Sequence, residues 1–393
     1  YDMTFTPVKS VSTLWAIAPR EVSEAIERAH HAAVAETMEW VEGHASFTRR
    51  GAGGVRVIAT RGLMATMFQH RDSRAGDPNL HTHVAVSNKV QAEDDGAWLA
   101  LHGSVIYKAF VGASEHYNTS LERFLARDLG LKFEERRKDR DGALVTREVS
   151  GVDERLADAW SSRRRDIEQR KASLVADFRS AHGRLPTPKE GIALAQQANL
   201  ETRQAKHEHR SLGEQRATWR NEAAGVLGSE MDVDAMILSV MDSREVRTRQ
   251  LLADDLPGLA DTLLDRLEER RSRFQPVHVI AEAQRMIREL ELAPDTVDAA
   301  VARLVDEAVG SSRALRLGRV DPVQEPSLLR RADGSSVYSQ PLSETFTTPR
   351  IWAAEQRIVH AATDTSAMKD DAADVAPALQ EPAAPANKLH APQ

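Results

Sequence analysis

Apolar residues recur at helical spacing in two long segments near the start of the chain. In residues 21–43, apolar side chains such as Ile26 and Val34 lie on one stripe, which predicts an amphipathic helix. Residues 104–129 show a similar pattern and are followed by Gly130, a residue that commonly ends helices. Two helices are therefore predicted in the first third of the chain.

Strand-like segments lie between these two helices. Residues 54–60, 63–70 and 81–90 are rich in apolar and β-branched side chains, which favour extended strands. Helices alternating with short strands and tight turns are typical of an α+β domain. We expect an antiparallel, palm-like sheet with helices packed on it.

The character of the sequence changes to nearly continuous helix after residue 151. Residues 153–182 are predicted as one helix, and Thr187-Pro188-Lys189-Glu190 combines a threonine cap, a first-turn proline and an acidic third position. Trp160 and Trp219 lie in this region. Core packing is the favoured interpretation of both tryptophans, and stacking on DNA bases is the alternative.

Residues 226–345 are predicted as a helical connecting region without catalytic features. One apolar stripe stands out there, formed by Val297, Val301, Leu304, Val305 and Ala308. Alanine and proline dominate residues 366–393, so this tail is predicted to be disordered. The chain contains no Gly-x-x-x-x-Gly-Lys-Ser/Thr phosphate loop, which excludes an ATP-driven motor of that type within this sequence.

The composition excludes several classes of protein. None of the 393 residues is cysteine, so a disulfide framework and a thiolate metal site are both excluded. No apolar run is long enough to span a bilayer, and the N-terminus lacks the pattern of a signal peptide. We predict a cytoplasmic protein without membrane insertion.

The net charge of −7 at first argues against a nucleic-acid partner, but the charge is unevenly distributed. Residues 1–225 contain 33 basic and 31 acidic side chains, whereas the remainder contains 19 and 28. Two basic clusters lie in the first part: Arg163, Arg164, Arg165, Arg170 and Lys171, then Arg203, Lys206, Arg210, Arg216 and Arg220. Contacts with phosphates and solvated helix faces are both open interpretations of these clusters.

Three histidines are the main candidates for chemistry. His81 and His83 are separated by one residue, and His70 precedes them by eleven positions. Side chains at i and i+2 of a strand point to the same face, and Asp77-Pro78-Asn79 supplies turn residues before the second strand. If the segment forms two paired strands, the three imidazoles can converge on one divalent ion.

A site with three protein ligands leaves coordination positions open for water or substrate, as in catalytic metal centres. The competing interpretation is that the histidines are ordinary surface or hydrogen-bonded residues. The sequence leaves the identity of the ion open, since imidazole suits Mn or Zn while Mg is common in phosphoryl chemistry.

Motifs around these histidines resemble one known family. The segments Tyr1-Asp2-Met3-Thr4-Phe5-Thr6-Pro7-Val8-Lys9-Ser10-Val11-Ser12 and Ser73-Arg74-Ala75-Gly76-Asp77-Pro78-Asn79-Leu80-His81-Thr82-His83, with the later Asn88, match in order and spacing. They resemble the MobF family of conjugative relaxases, which carry the TrwC-type relaxase domain. The resemblance covers about residues 1–225, and residues 346–365 resemble the start of the helicase part of longer members.

The resemblance implies metal-dependent nicking and rejoining of one DNA strand at a plasmid transfer origin, through a 5′-phosphotyrosine. It implies that His70, His81 and His83 hold the ion against the scissile phosphate. Asp2 matches the family carboxylate that hydrogen-bonds a ligand histidine or assists deprotonation of the tyrosine. The implied partners are single-stranded origin DNA and conjugation accessory proteins.

The nucleophilic tyrosines of the family lie before the segment that begins here at Tyr1, so the resemblance predicts an N-terminally truncated domain. None of Tyr1, Tyr107, Tyr117 and Tyr338 matches a nucleophile position. A phenol needs activation and in-line placement, so the chain is expected to be inactive in cleavage. A non-catalytic module that binds single-stranded or hairpin DNA is the alternative function, and an unrelated three-histidine metal hydrolase is a third.

Overall fold

The computed structural model describes residues 1–136, 146–203, 210–242, 249–310, 312–318 and 325–363. Within these ranges the chain forms eleven strands and twelve α-helices. The strands are β1 (Asp2–Phe5), β2 (Phe47–Arg50), β3 (Arg56–Ala59), β4 (Ala65–Asp72), β5 (Pro78–Val86), β6 (Lys89–Gln91), β7 (Trp98–Ala100), β8 (Phe133–Arg136), β9 (Thr146–Val149), β10 (Leu315–Leu317) and β11 (Thr345–Thr347). The helices are α1 (Lys9–Ile17), α2 (Arg20–Ala45), α3 (Gly103–Leu129), α4 (Glu154–Ala159), α5 (Ser162–His182), α6 (Pro188–Glu201), α7 (Leu212–Leu227), α8 (Glu230–Met241), α9 (Leu256–Glu268), α10 (Pro276–Glu289), α11 (Val297–Gly310) and α12 (Pro349–Thr363).

The central sheet contains three antiparallel strands in the order β1-β5-β4. Thr4 of β1 lies opposite His83 of β5, and His70 of β4 lies opposite His81. Along β5 the residues alternate strictly between buried and accessible positions, because successive side chains point to opposite faces of a strand. The sheet therefore has one face in the core and one face directed outward.

Helices α1, α2 and α3 cover the inner face of this sheet. Val11, Trp15, Ile26 and Ile106 are completely buried in the resulting core. Burial of side chains of this size contributes about 1.5–3 kcal/mol each to folding. The described residues also form four two-stranded antiparallel ribbons, β2–β3, β6–β7, β8–β9 and β10–β11, of which the last contributes Phe346 to a second hydrophobic core.

A second hydrophobic core is formed by α9, α10 and α11. Helix α10 packs against α3 of the first core, and buried ion pairs cross this contact. The Arg288 guanidinium lies 2.6 Å from the Glu115 carboxylate, and that of Arg285 lies 2.9 Å from it. The helical half is thus attached directly to the sheet-bearing half.

Several sequence predictions are confirmed. The α+β architecture is a set of small antiparallel sheets packed with helices. Thr187 and Glu190 form the expected reciprocal cap of α6, and the predicted stripe from Val297 to Ala308 is the buried face of α11. Trp219 is completely buried and Trp160 is 4% exposed, so core packing is correct and base stacking by these tryptophans is wrong.

Three boundaries were predicted wrongly. The strand predicted at residues 81–90 is two strands, because β5 ends at Val86 and β6 begins at Lys89. Residues 153–182 form α4 and α5 rather than one helix, because the chain breaks around Trp160, whose indole is buried and donates to the Glu222 carboxylate. Strand β5 begins at Pro78, and the turn lies earlier, at residues 73–77.

The tail at residues 366–393 lies outside the described residues. No helix in the described ranges is long and apolar enough to cross a membrane.

Candidate metal centre

The β4–β5 hairpin brings the three predicted histidines together on the outer face of the sheet. The ring centroids of His70 and His81 are 5.1 Å apart, those of His70 and His83 5.1 Å, and those of His81 and His83 5.3 Å. One nitrogen from each ring lies within 4.8 Å of the others. Three imidazole nitrogens at this separation can bind one divalent ion.

Hydrogen bonds to Nδ1 set the tautomer of two of these rings. Nδ1 of His81 lies 2.7 Å from the carbonyl oxygen of Asn79, which only accepts, and 3.1 Å from the side-chain nitrogen of Asn79, which only donates. The shorter contact favours the tautomer in which Nδ1 donates and Nε2 keeps its lone pair. Burial lowers the pKa of the His81 imidazole, and the bond to Asn79 opposes this shift. A neutral ring with a free Nε2 is the form that binds metal.

Asp2 fixes the His83 ring in the same way. Its two carboxylate oxygens lie 3.0 and 3.1 Å from Nδ1 of His83, and the Thr4 hydroxyl lies 3.1 Å from the same nitrogen. An ionised carboxylate accepts only, so Nδ1 carries the proton and Nε2 of His83 is also available. Such a carboxylate orients the ring and raises its basicity as a ligand. The structure thus brings Asp2, which sequence reasoning selected, to the histidine cluster.

A buried histidine supports β5 from behind, and sequence reasoning missed it. His30 of α2 is completely buried, and its ring nitrogens lie 2.7 Å from the Tyr117 hydroxyl and 2.8 Å from the Thr82 hydroxyl. Thr82 stands between His81 and His83 and points into the core. Burial lowers the pKa of His30 to about 3, so the ring stays neutral. Nothing in the helical stripe of α2 distinguishes His30 before the fold is known.

Distant helices hold the turn that joins β4 to β5. The Gln215 side chain donates to Asp72 at 2.7 Å, and the Trp219 indole donates to the Gly76 carbonyl at 2.9 Å. From α1, the ammonium of Lys9 donates to the Pro78 carbonyl at 2.7 Å, and burial lowers its pKa to about 8. Part of the Lys9-Ser10-Val11-Ser12 motif is therefore structural.

Some arginines of the two basic clusters support the fold, and others are exposed to solvent. Arg216 and Arg220 of α7 donate to carbonyls at the end of α1, including that of Ile17, so they support the fold. In α5, Arg164 and Arg170 form exposed ion pairs with glutamates, and such pairs leave the side chains available to other anions. Lys206 lies outside the described residues.

The four tyrosines of the chain occupy distinct environments. Tyr117 is buried beneath the sheet, and burial raises the pKa of its phenol well above the usual value. The Tyr1 hydroxyl contacts the Asn88 amide at 3.4 Å, and the Tyr1 ring packs edge-on against Tyr107. Tyr338 is exposed and follows Val337, whose backbone pairs with β3.

The chain is similar in sequence to known proteins. The family model of the TrwC relaxase matches residues 1–226. The multifunctional conjugation protein TraI of Escherichia coli is 34% identical over 116 residues, which are 30% of this chain and only 6% of that protein.

Solved structures of the conjugative relaxase TrwC in complex with oriT DNA are also similar. A copper-bound form is 28% identical, with a TM-score of 0.44, over 60% of this chain and 70% of that chain. A metal-free form is 31% identical, with a TM-score of 0.45, over 58% and 72%. Because the family model covers more than half of the sequence, the chain belongs to the TrwC relaxase family.

Proposed function

We propose that this chain provides the metal-binding and DNA-binding parts of a conjugative relaxase, which nicks and rejoins one strand at a plasmid transfer origin through a 5′-phosphotyrosine. The observation that carries the proposal is the convergence of His70, His81 and His83 within a chain of this family. The curated relative, a conjugation protein, supports the biological setting. The substrate is DNA of a plasmid, so we place the activity in the cytoplasm.

The donor set fits a divalent ion. Two of the three rings have Nδ1 engaged with Asn79 or Asp2, which leaves their Nε2 atoms free for coordination. Mn and Zn suit imidazole donors, whereas Mg suits oxygen ligands and would rely more on phosphate and water. A divalent ion held here would neutralise the charge that develops on the non-bridging oxygens of a phosphodiester.

The residues of the chain have separate roles in this proposal. The three histidines are the ligands, and Asp2 keeps His83 oriented and in the correct tautomer. Because His70 is exposed and β4 lies at the edge of the sheet, a nucleic-acid strand can approach the cluster from solvent. Lysine and arginine side chains in residues 1–225 would bind DNA phosphates next to the one at the histidine cluster.

We further propose that residues 1–225 act as the relaxase domain and residues 226–345 as a connecting region. Residues 346–365 would begin a helicase-like region, and conjugation accessory proteins are the proposed additional partners. The separate hydrophobic core of α9, α10 and α11 supports a distinct second region, although Val233, Ile237 and Val240 of α8 belong to the first core. The Glu115–Arg288 ion pair supports direct packing of the two parts against each other.

A second candidate function is a non-catalytic module that binds single-stranded or hairpin DNA. The environment of one tyrosine favours it, because Tyr117 is inaccessible and burial raises the pKa of its phenol well above the usual value. Covalent strand transfer needs an activated phenol in line with the phosphorus.

One experiment separates these functions. The purified chain is incubated with a labelled transfer-origin oligonucleotide and Mn²⁺, and the products are separated on a denaturing gel. We expect salt-sensitive binding without a covalent adduct, and we expect a close relative's tyrosine-bearing segment, fused in cis, to produce the adduct. An adduct of the unmodified chain, mapped to one of its four tyrosines, would contradict the expected inactivity. Absence of any DNA binding, with or without Mn²⁺, would contradict both functions.

A further inference from the structure

An exposed aromatic ring stands beside the histidine cluster. Phe68 lies directly opposite His83 in the β4–β5 pairing and two residues before His70, so it points to the same face as the histidines. Its exposed fraction is 53%. Directly opposed side chains in antiparallel strands have Cβ atoms about 5 Å apart, so the Phe68 ring adjoins the proposed ligands.

The surroundings of Phe68 leave space above the ring. Its neighbours on the outer face, away from the histidines, are Thr66 on the same strand and Ala85 opposite Thr66. Both residues are small and exposed. The remaining neighbours on this face are polar, so Phe68 does not belong to a broad apolar groove of the kind that binds a protein helix or a membrane.

The chemistry of the adjacent site indicates what covers this ring. A phosphate held at the histidine cluster belongs to a nucleotide whose base is connected to it through a single deoxyribose. The base must therefore lie close to the cluster. An exposed aromatic side chain is the usual platform for an unpaired base, because every base offers a flat face to stack on.

We propose that Phe68 stacks on the nucleobase adjacent to the phosphate bound at His70, His81 and His83, and so positions single-stranded DNA in the site. This inference rests on the proposed function, since it requires a phosphodiester at the histidine cluster. Phe68 acts as a positioning residue, and it contributes to DNA affinity without contributing to metal affinity.

The chain contains a matched control for this residue. Met67 precedes Phe68, is 50% exposed and points to the opposite face of the sheet. Both residues lie on the same edge strand, so a general effect of changing an exposed apolar side chain of β4 would be equal in the two. Only a ligand on the histidine face distinguishes them.

The test measures binding of a labelled oligothymidine in the presence of Mn²⁺ by fluorescence anisotropy. Loss of one base–aromatic stack in Phe68→Ala should weaken binding about tenfold, and Phe68→Leu should lose nearly as much. Phe68→Trp should bind at least as tightly as the wild type, and Met67→Ala should stay within about twofold of it. Calorimetry should give the same Mn²⁺ affinity for all four variants.

A probe with abasic sites makes the test specific for stacking. Without bases, the wild type and Phe68→Ala should bind equally, because the proposed contact no longer exists. Equal affinities of Phe68→Ala and Met67→Ala for oligothymidine would overturn the proposal, as would full retention of affinity in Phe68→Leu. Failure of the proposed function has a different signature, namely wild-type DNA binding that responds neither to Mn²⁺ nor to His81→Ala.

Discussion

The same strands form both faces of the central sheet, but one face packs in the core and the other carries the candidate metal site. On the inner face of β5, Leu80, Thr82 and Val84 are buried against helices, whereas His81 and His83 on the outer face remain accessible. Each face also contains a histidine system. His30 on the inner side is fully enclosed and hydrogen-bonded at both nitrogens, whereas His70, His81 and His83 on the outer side each offer one possible metal-ligand atom. The enclosed histidine contributes to stability, and the outer histidines form the candidate metal site.

The largest expected effect is the loss of metal binding without loss of the fold. Replacement of His81 and His83 together by alanine removes two of three donors from the accessible face, so calorimetry should detect no Mn²⁺ or Zn²⁺ binding. Circular dichroism and the melting temperature should stay near those of the wild type. Replacement of the exposed His31 and His360 by alanine is the control. Unchanged metal affinity in the double variant would refute the site.

On the inner face, substitution of a histidine should lower stability and leave metal affinity nearly unchanged. His30→Ala leaves the Thr82 and Tyr117 hydroxyls unpaired and opens a cavity, so we expect about 2–4 kcal/mol less stability in urea unfolding. His31→Ala, which changes the exposed neighbour, should change stability by less than about 0.5 kcal/mol. Metal affinity of folded His30→Ala should remain close to that of the wild type. A large loss of affinity with unchanged stability would show that the two faces are not separate.

A substitution of Asp2 measures how much metal affinity on the outer face depends on a residue that is not itself a proposed ligand. Asp2→Ala removes the acceptor that holds the proton on Nδ1 of His83, and loss of such a partner typically weakens metal binding about 10- to 100-fold. The exposed Glu21→Gln variant is a control for lost charge. Wild-type affinity of Asp2→Ala in a calorimetric titration would assign Asp2 to an ordinary surface role.

Lowering the pH by one unit below about 6.5 gives the smallest expected effect, and it acts on the inner face. The pKa of His30 is about 3 in the fold and about 6.5 when unfolded, so protonation favours the unfolded chain between these values. Above about pH 6.5, His30 should not affect the pH dependence of stability. Below that pH, its protonation in the unfolded chain should lower the free energy of unfolding by up to about 1.4 kcal/mol per pH unit. Its hydrogen-bond partners are Thr82 and Tyr117, and the titratable groups that act on it are His31 and His81. His30→Gln should flatten the pH profile of urea unfolding, and an unchanged slope would contradict this assignment.

Prediction from sequence succeeded where local chemistry decides the structure. The strict alternation of β5 follows from a period of two, so the common face of His81 and His83 was predictable. The cap formed by Thr187 and Glu190 is equally local and was also predicted correctly. The break around Trp160 was missed, because it depends on a distant glutamate that accepts from the buried indole.

The sequence by itself determined the type of chemistry, through three histidines at strand spacing and motifs shared with one family. Tertiary structure decided which nitrogen of His83 is available, because Asp2 reaches His83 only across the β1–β5 pairing, 81 residues away in sequence. It also placed His30 behind Thr82 and joined α3 to α10 through Glu115 and Arg288, 173 residues apart. Local propensities act over a few residues, whereas these contacts form only after separate elements have packed, and no local pattern specifies them.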